Sequence, residues 1–386
     1  MLELPTYSGQ VEFYKLQGKP LLPRAPSTEF NRMAFAAVHV VSSPLLEKDP
    51  WQGRPAIDWD ETLKFRHYLW DQGLHVAEAM DTAQRGMGLD WVTAKDLIRR
   101  TVIESRSHPL KPKVVCGAGT DQFLPEQLRT EDEIIRAYSE QMEAIEKVGG
   151  KCVVMASRAM LTIGEKPDRY TKVYGKLIEQ AAEPVILHWL GDMFDPKLKG
   201  YWGCKSLDEA EEVVLALIES HADKIDGIKI SLLEKNREER FRNRLNQSIR
   251  LYTGDDFNYA TLIDGDRQRY SDALLGIFSA IAPAASQALE ALARGDSVKF
   301  HDILRPTVAL SREIFKSPTQ YYKAGIAFLA WLNGVQKHFV MVGGLQSSRE
   351  INHYAEVFRL ADRANLLVDP DLAISRMRSL LALHGL

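Results

Sequence analysis

Lys229 stands in the segment Asp226-Gly227-Ile228-Lys229-Ile230-Ser231. In an extended chain Ile228 and Ile230 share one face and the lysine takes the other. If both faces are covered, the ammonium loses its water and its pKa falls. The amine then becomes a nucleophile for a carbonyl carbon, as imine chemistry requires. The plain alternative is a lysine at the edge of the element, paired with a carboxylate such as Asp255. His188, in Pro184-Val185-Ile186-Leu187-His188-Trp189-Leu190, also has two readings: a satisfied core histidine, or an acid/base within reach of the lysine. Other polar side chains close apolar runs at His39, Glu78, Asp81-Thr82, Ser157-Arg158 and Asp255-Asp256. Of these, His39, Glu78 and Asp81 together with His188 also suit a divalent cation, the basis of a second reading as a metal-dependent lyase or isomerase. Their spacing carries no ligand signature, and the leading reading uses no metal and no cofactor.

These residues need elements to hold them. Eight short apolar runs occur at 35–41, 75–81, 114–117, 152–156, 184–190, 227–231, 249–252 and 276–281. Between them, 60–71, 91–105, 131–148, 168–182, 207–221 and 234–246 place apolar residues at three- and four-residue spacing, the helical pattern. Asp90 and Thr130 sit where N-caps belong, and Gly73 and Gly149-Gly150 follow helix ends. Strands alternating with helices imply parallel pairing. Eight of them close most simply into an α/β fold of the (β/α)8 TIM-barrel type. No GxGxxG follows the first run to favour an open doubly wound sheet. In such a barrel the chemistry lies at the C-terminal ends of the strands, which is where these polar residues fall. The expected organisation is an N-terminal extension over 1–30, with a strand at 11–16, a barrel over 31–283, and a helical region over 284–386. That last region shows helical patterns at 284–294, 297–315, 320–332, 347–362 and 370–384.

Composition narrows the classes further. The chain has 386 residues, is 45% hydrophobic and 26% charged, and carries 49 basic against 52 acidic residues, a net charge of −3. That balance gives no field to recruit nucleic acid or an anionic membrane. The arginine-rich run 234–250 interleaves acids and lacks a stacking pattern of aromatics, so it reads as a solvated helix face. No window approaches 18 uninterrupted apolar residues, so no membrane partner is expected. Three scattered cysteines, Cys116, Cys152 and Cys204, and an N-terminus without a signal-peptide pattern point to a reducing, cytoplasmic setting. The helix at 322–332, with Phe328, Leu329 and Trp331, needs somewhere to bury its stripe, so a homo-oligomer is expected.

The segments, in order, resemble the dihydrodipicolinate synthase and N-acetylneuraminate lyase family, class I aldolases of barrel fold. Val115-Cys116-Gly117-Ala118-Gly119 is similar to that family's G-x-G strand end, and residues 184–189 to its P-[VI]-[IL]-L-Y-N segment. The Lys229 segment resembles the strand with the Schiff-base lysine. Thr253-Gly254-Asp255-Asp256 resembles the S-G-D-D turn, and Gly276-Ile277-Phe278-Ser279 the G-[VI]-I-S stretch of the last strand. The resemblance runs from about residue 30 to 340, and the length suggests a divergent bacterial branch. The departures matter as much. The family's G-T-T-G-E motif, which holds a substrate carboxylate, reads Asp81-Thr82-Ala83-Gln84-Arg85 here, and its strand-5 tyrosine is His188. The aromatic residues after its fourth strand become Ala159 and Met160.

The resemblance therefore implies a Schiff-base lyase of aldolase type acting on a small carbonyl substrate, such as a polyhydroxy ketone or sugar-derived oxo compound. Lys229 would be the nucleophile and His188 the proton carrier, with Asp81, Thr82, Arg85, His39, Gly254, Asp255 and Ser279 around the substrate. A non-catalytic sugar-binding barrel is the remaining alternative.

Overall fold

Eight parallel strands close into a barrel in the computed structural model, which describes residues 2–46, 55–164, 166–266 and 268–386. An antiparallel hairpin comes first, β1 (Leu2–Pro5) with β2 (Val11–Tyr14). The barrel strands are β3 (Ala34–Ala37), β4 (His75–Glu78), β5 (Val114–Ala118), β6 (Lys151–Val154), β7 (Val185–Leu190), β8 (Ile225–Ser231), β9 (Arg250–Thr253) and β10 (Asp272–Leu275). They pair in sequence order, and β10 closes the ring on β3. Helices α1 (Trp59–Trp70), α2 (Trp91–Ser107), α3 (Glu131–Lys147), α4 (Pro167–Gln180), α5 (Leu207–Ser220) and α6 (Lys235–Arg244) connect successive strands from β3 to β9.

Alternation along each strand sorts side chains between the two faces. Phe35, Ala37, Ala77, Val115, Val153, Ile186, Tyr252 and Leu274 form one packed layer inside the barrel. Ala34, Ala36, Val76, Val185, Leu187, Ile228 and Ile230 pack outward under the helices. Inside, alanines face the large rings of Phe35 and Tyr252, which meet edge-on at 6.0 Å. A Cβ on Gly227 would lie 2.8 Å from the Tyr252 ring, so this glycine makes room for it. The expected caps form: the Asp90 carboxylate accepts from Thr93 N, and Thr130 makes a capping box with Glu133. Each such cap contributes about 1 kcal/mol.

One strand lies earlier than its sequence pattern suggests. The sequence pattern puts the eighth run at 276–281, but β10 is Asp272–Leu275, and Ile277–Ala280 is a short helix, α8. Ala273–Leu275 exhausts the pairing with Ala34–Ala36, and the chain turns helical at Gly276. Its continuation, Ile277 N, donates to Asp256 Oδ1 at 2.9 Å. An unbroken apolar stretch is compatible with either element, and periodicity does not separate them.

After α7 (Tyr259–Asp264) and α8 come α9 (Ala282–Ala293), α10 (Ser297–Ile314), α11 (Tyr322–Leu332), α12 (Ile351–Arg363) and α13 (Pro370–Leu383). Helix α11 is apolar nearly all round and is enclosed by α8, α10, α12 and α13. Phe328 and Leu329 are buried, and Trp331 stacks on Phe339 at 5.7 Å. The stripe that motivated an oligomer is thus used inside the chain, and that expectation keeps only the family resemblance behind it. The hairpin ties to the same region: Tyr14 donates to Asp362 Oδ2 at 2.7 Å, and Arg359 donates to Leu4 O and Pro5 O. Among the described residues no helix is long and apolar enough to cross a membrane.

Candidate active site

Lys229 sits on the inward face of β8, in register with His188 on β7 and Tyr252 on β9. It is 5% exposed, and no hydrogen bond or ion pair holds its Nζ among the described residues. Gly254 lets it lie there: a Cβ at that position would stand 2.8 Å from Lys229 Cε and in collision with Ser231 Oγ. Burial lowers the Lys229 pKa from its ordinary 10.5, while the charges of Asp81 and Asp256 pull it back up.

His188 is 2% exposed and its Nε2 lies 3.2 Å from Ser231 Oγ. Its Nδ1 is buried without a hydrogen-bond partner among the described residues. Burial, then the charge of Lys229, pushes this imidazole well below its ordinary value, against the pull of Asp81. It is therefore neutral at physiological pH, a proton acceptor rather than a cation.

Asp81 opens the turn that follows β4. Burial raises its pKa, but Lys323, Lys229, His188 and the Tyr322 hydroxyl outweigh burial and hold the carboxyl below its ordinary value. Tyr322 OH donates to Asp81 Oδ2 at 2.8 Å and lies 2.6 Å from Thr82 Oγ1. The Tyr322 ring stacks on Phe315 at 4.3 Å. Next to it, Lys323 Nζ donates to Gln320 O at 2.9 Å. Burial lowers the Lys323 pKa, and Asp81 and Asp195 raise it. Asp256, at the end of β9, is pushed up to about 8 by burial, against the Ile277 N–H and Lys229.

A cavity of about 530 Å³ opens at this mouth of the barrel, with Asp81, Arg85, His188 and Lys323 in its wall. Lys229 is not in the wall; Asp81 and His188, the two groups most closely coupled to it there, are. A second cavity, about 310 Å³, lies at the opposite mouth. Its polar groups satisfy one another through Lys151–Asp226 at 3.0 Å and Tyr252–Asp226 at 2.6 Å.

The other expected residues are distributed differently. Thr82 is buried against Tyr322 and is not in the cavity wall. Arg85 does line the cavity, but its fork is committed to Asp121, Gln141, Ala79 O and Gly117 O. It holds the loop after β5 instead of offering a free cation. Asp255 accepts from Phe257 N, Asn258 N and Asn258 Nδ2, shaping the turn after β9. Ser279 lies on α8, not on a strand end, and its Oγ donates to Gly276 O at 2.8 Å. His39 lies beyond the end of β3, where its ring meets Phe65 at 4.7 Å and Nε2 lies 2.7 Å from Gln336 Oε1. It is absent from the cavity wall. Glu78 receives both arms of Arg66 at 2.9 Å and is fully buried. Of the four side chains weighed as metal ligands, Asp81 and His188 share the cavity wall while His39 and Glu78 are engaged elsewhere. Among the described residues no three histidines, cysteines or carboxylates are grouped to hold a metal ion.

Tyr322 and Lys323 complete the cluster and were not among the expected site residues, while Asp256, singled out with Asp255 at the end of its apolar run, joins it without having been given a role. Tyr322 is 241 residues from Asp81. Its only local signal is a tyrosine and a lysine opening an otherwise apolar helix.

A family model matches residues 2–386, almost the whole chain. The chain belongs to DUF993, a family of proteins of unknown function. No curated protein matches it significantly. Solved structures match in fold. A dihydrodipicolinate synthase from Acinetobacter baumannii, complexed with pyruvate, superposes with a TM-score of 0.62 at 14% identity, covering 86% of this chain and 99% of that one. The 4-hydroxy-tetrahydrodipicolinate synthase of Methylacidiphilum fumariolicum SolV gives 0.63 at 12%, covering 90% and 99%. The dihydrodipicolinate synthase of Aquifex aeolicus gives 0.62 at 13%, covering 87% and 99%. The DUF993 chain thus shares the barrel architecture of these enzymes.

Proposed function

We propose that this protein is a Schiff-base-forming lyase of aldolase type. The observation that carries the reading is a buried lysine without a hydrogen-bond or ion-pair partner among the described residues, beside a neutral histidine and an ionised aspartate, at the C-terminal mouth of the barrel. Lys229 in its amine form attacks the substrate ketone, water leaves, and an iminium remains as electron sink. His188 Nδ1, buried and without a hydrogen-bond partner among the described residues, takes the hydroxyl proton as the adjacent carbon–carbon bond breaks, or takes the α-carbon proton and returns it to the departing hydroxide when the carbon–oxygen bond breaks. Tyr322 and Thr82 fix the Asp81 carboxylate, which accepts from substrate hydroxyls. The substrate reaches Lys229 past Asp81 and His188.

The substrate class follows from Asp81. A carboxylate beside the carbonyl would face it at a few ångströms, and like charges there repel by about 4 kcal/mol at an effective dielectric near 20. Lys323 offsets part of this, while Arg85 is already occupied by Asp121. A hydroxylated ketone or sugar-derived oxo compound avoids the repulsion. The neighbouring folds are those of dihydrodipicolinate synthases, one of them complexed with pyruvate, which supports lyase chemistry while Asp81 argues for another carbonyl partner. The family resemblance further suggests a cytoplasmic homodimer or homotetramer, and sedimentation showing only monomer at micromolar concentration would refute the oligomer.

The test is reductive trapping. Incubation with a panel of ketones and borohydride, followed by peptide mapping, is expected to add mass at Lys229. Absence of any adduct there across hydroxylated ketones and oxo acids would sink the reading. Sugar affinity that survives Lys229→Met without any turnover would mark a non-catalytic binding barrel.

A further inference from the structure

The wall of the large cavity changes character outward from the charged cluster. The strand ends and α11 contribute the charged groups Asp81, His188 and Lys323. The loop after β5 contributes Phe123, Leu124 and Pro125, and the end of β7 with the loop after it contributes Leu190, Phe194 and Leu198. Phe194 is fixed edge-on to Tyr322 at 6.2 Å and to Phe315 at 6.4 Å, which links this apolar wall to the Tyr322 stack beside Asp81. Phe123 and Leu124 are 41% and 61% exposed at the rim. Apolar surface left in water there is unfavourable, and an apolar ligand group would cover it.

The two guanidiniums in the same wall are spoken for. Arg158 binds both oxygens of Asp195, at 2.6 and 3.0 Å, and Arg85 grips Asp121. They stiffen the loops and leave neither guanidinium free for a phosphate. Lys197 is the remaining cation of that loop in the wall, and it is exposed to solvent. Size points the same way. About 530 Å³ lies within the roughly 300–1,000 Å³ of pockets that enclose drug-sized ligands, well beyond a three- or four-carbon ketone.

We propose that the compound cleaved or made here is a β-hydroxy ketone whose far carbon carries an uncharged apolar group of phenyl or branched-alkyl size, seated between the loops after β5 and β7. This rests on the imine reading above and adds the identity of the second fragment. In the cleavage direction Lys229 and the ketone form the iminium with loss of water. The β-hydroxyl gives its proton to His188, the bond between the α and β carbons breaks, and its electron pair neutralises the iminium to an enamine. The apolar aldehyde departs, the enamine carbon takes a proton, and water hydrolyses the imine to release the ketone and the free amine.

The experiment uses the full chain and two independent readouts. The first is binding of benzyl alcohol, with glycerol as the polyhydroxy control, followed by ligand-observed NMR. Benzyl alcohol is expected to bind at least tenfold tighter than glycerol. Leu124→Asp and Phe123→Ser, at exposed positions that the fold does not depend on, are expected to weaken it at least tenfold. The second has two separate arms: borohydride trapping of a hydroxylated ketone on Lys229, and, in samples without borohydride, condensation of the same ketone with benzaldehyde, glyceraldehyde or glyceraldehyde 3-phosphate. Benzaldehyde is the expected acceptor. Glycerol binding as tightly as benzyl alcohol, indifference to Leu124→Asp, or preference for the phosphorylated acceptor overturns the apolar arm even with the adduct intact. Absence of the Lys229 adduct with benzyl alcohol still bound overturns the imine reading instead.

Discussion

Glu78 and Asp81 are two carboxylates three residues apart at the same strand end, and they sit in opposite electrostatic situations. Glu78 takes both arms of Arg66 at 2.9 Å, the Thr101 hydroxyl at 2.6 Å and the Ala79 N–H at 2.9 Å, and is fully buried. Its ion pair is complete, and Arg66 Nη1 also donates to His39 O. Asp81 is half-buried, has one hydroxyl donor in Tyr322, and shares two lysines whose ammonium groups make no ion pair with it. A buried charge with every lone pair filled holds the barrel together. Charges brought close yet left unpaired contribute little to the fold and remain available to a ligand.

Breaking the two clusters separates those roles. Lys229→Met is expected to abolish the borohydride adduct and lower turnover by about three orders of magnitude or more. The denaturation midpoint should stay level or rise, because Lys229 makes no ion pair among the described residues and Lys323 and the Tyr322 hydroxyl remain beside Asp81. A midpoint that collapses would show Lys229 to be structural. Glu78→Ala does the reverse: it leaves the Arg66 guanidinium buried and unpaired, at a cost of about 3–5 kcal/mol in urea denaturation. Adding Arg66→Met to that variant should recover much of the loss.

Asp81→Thr sharpens the comparison from the ligand side. Removing the like charge should improve pyruvate binding by roughly tenfold, since Lys323 already offsets part of the repulsion. Efficient turnover of pyruvate by the unaltered protein would show that Asp81 has been misread.

A pH series tests a third buried carboxylate. Glu238 is pushed up to about 8 by burial, with Asp255 adding to the shift and the Ser271 and Thr253 hydroxyls opposing it. Its folded pKa lies above its unfolded one, so the stability it supplies is complete below the ordinary carboxylate range near 4. It is lost as pH rises through about 8. Glu238→Gln should flatten the fall in urea midpoint between pH 5 and 9, and an unchanged slope would contradict the assignment.

The smallest effect is expected at Ser279→Ala. Its hydroxyl only closes the α8 turn onto Gly276 O, so activity should stay within about twofold and stability within about 1 kcal/mol. A large loss of activity would return Ser279 to the site.

Much of this molecule was readable in the sequence because its signals are local. Period-two and period-3.6 patterns, the Asp90 and Thr130 caps and the inward placement of Lys229 between Ile228 and Ile230 depend on neighbours within a few residues. The pairing of His188 with Lys229 followed from their successive strands in a parallel barrel. What failed had no local signal. The apolar stretch 272–281 holds both a strand and a helix, and only the extent of its pairing with β3 decides where one ends. His39 and Ser279 looked like strand-end polar residues until the chain turned away. Arg85, expected beside the substrate, is claimed by Asp121 from the loop after β5. Tyr322 and Lys323 reach Asp81 from a helix more than 240 residues downstream. Contact at that separation is fixed by how the C-terminal helices pack across the barrel mouth, a property of the whole fold and of no segment in it.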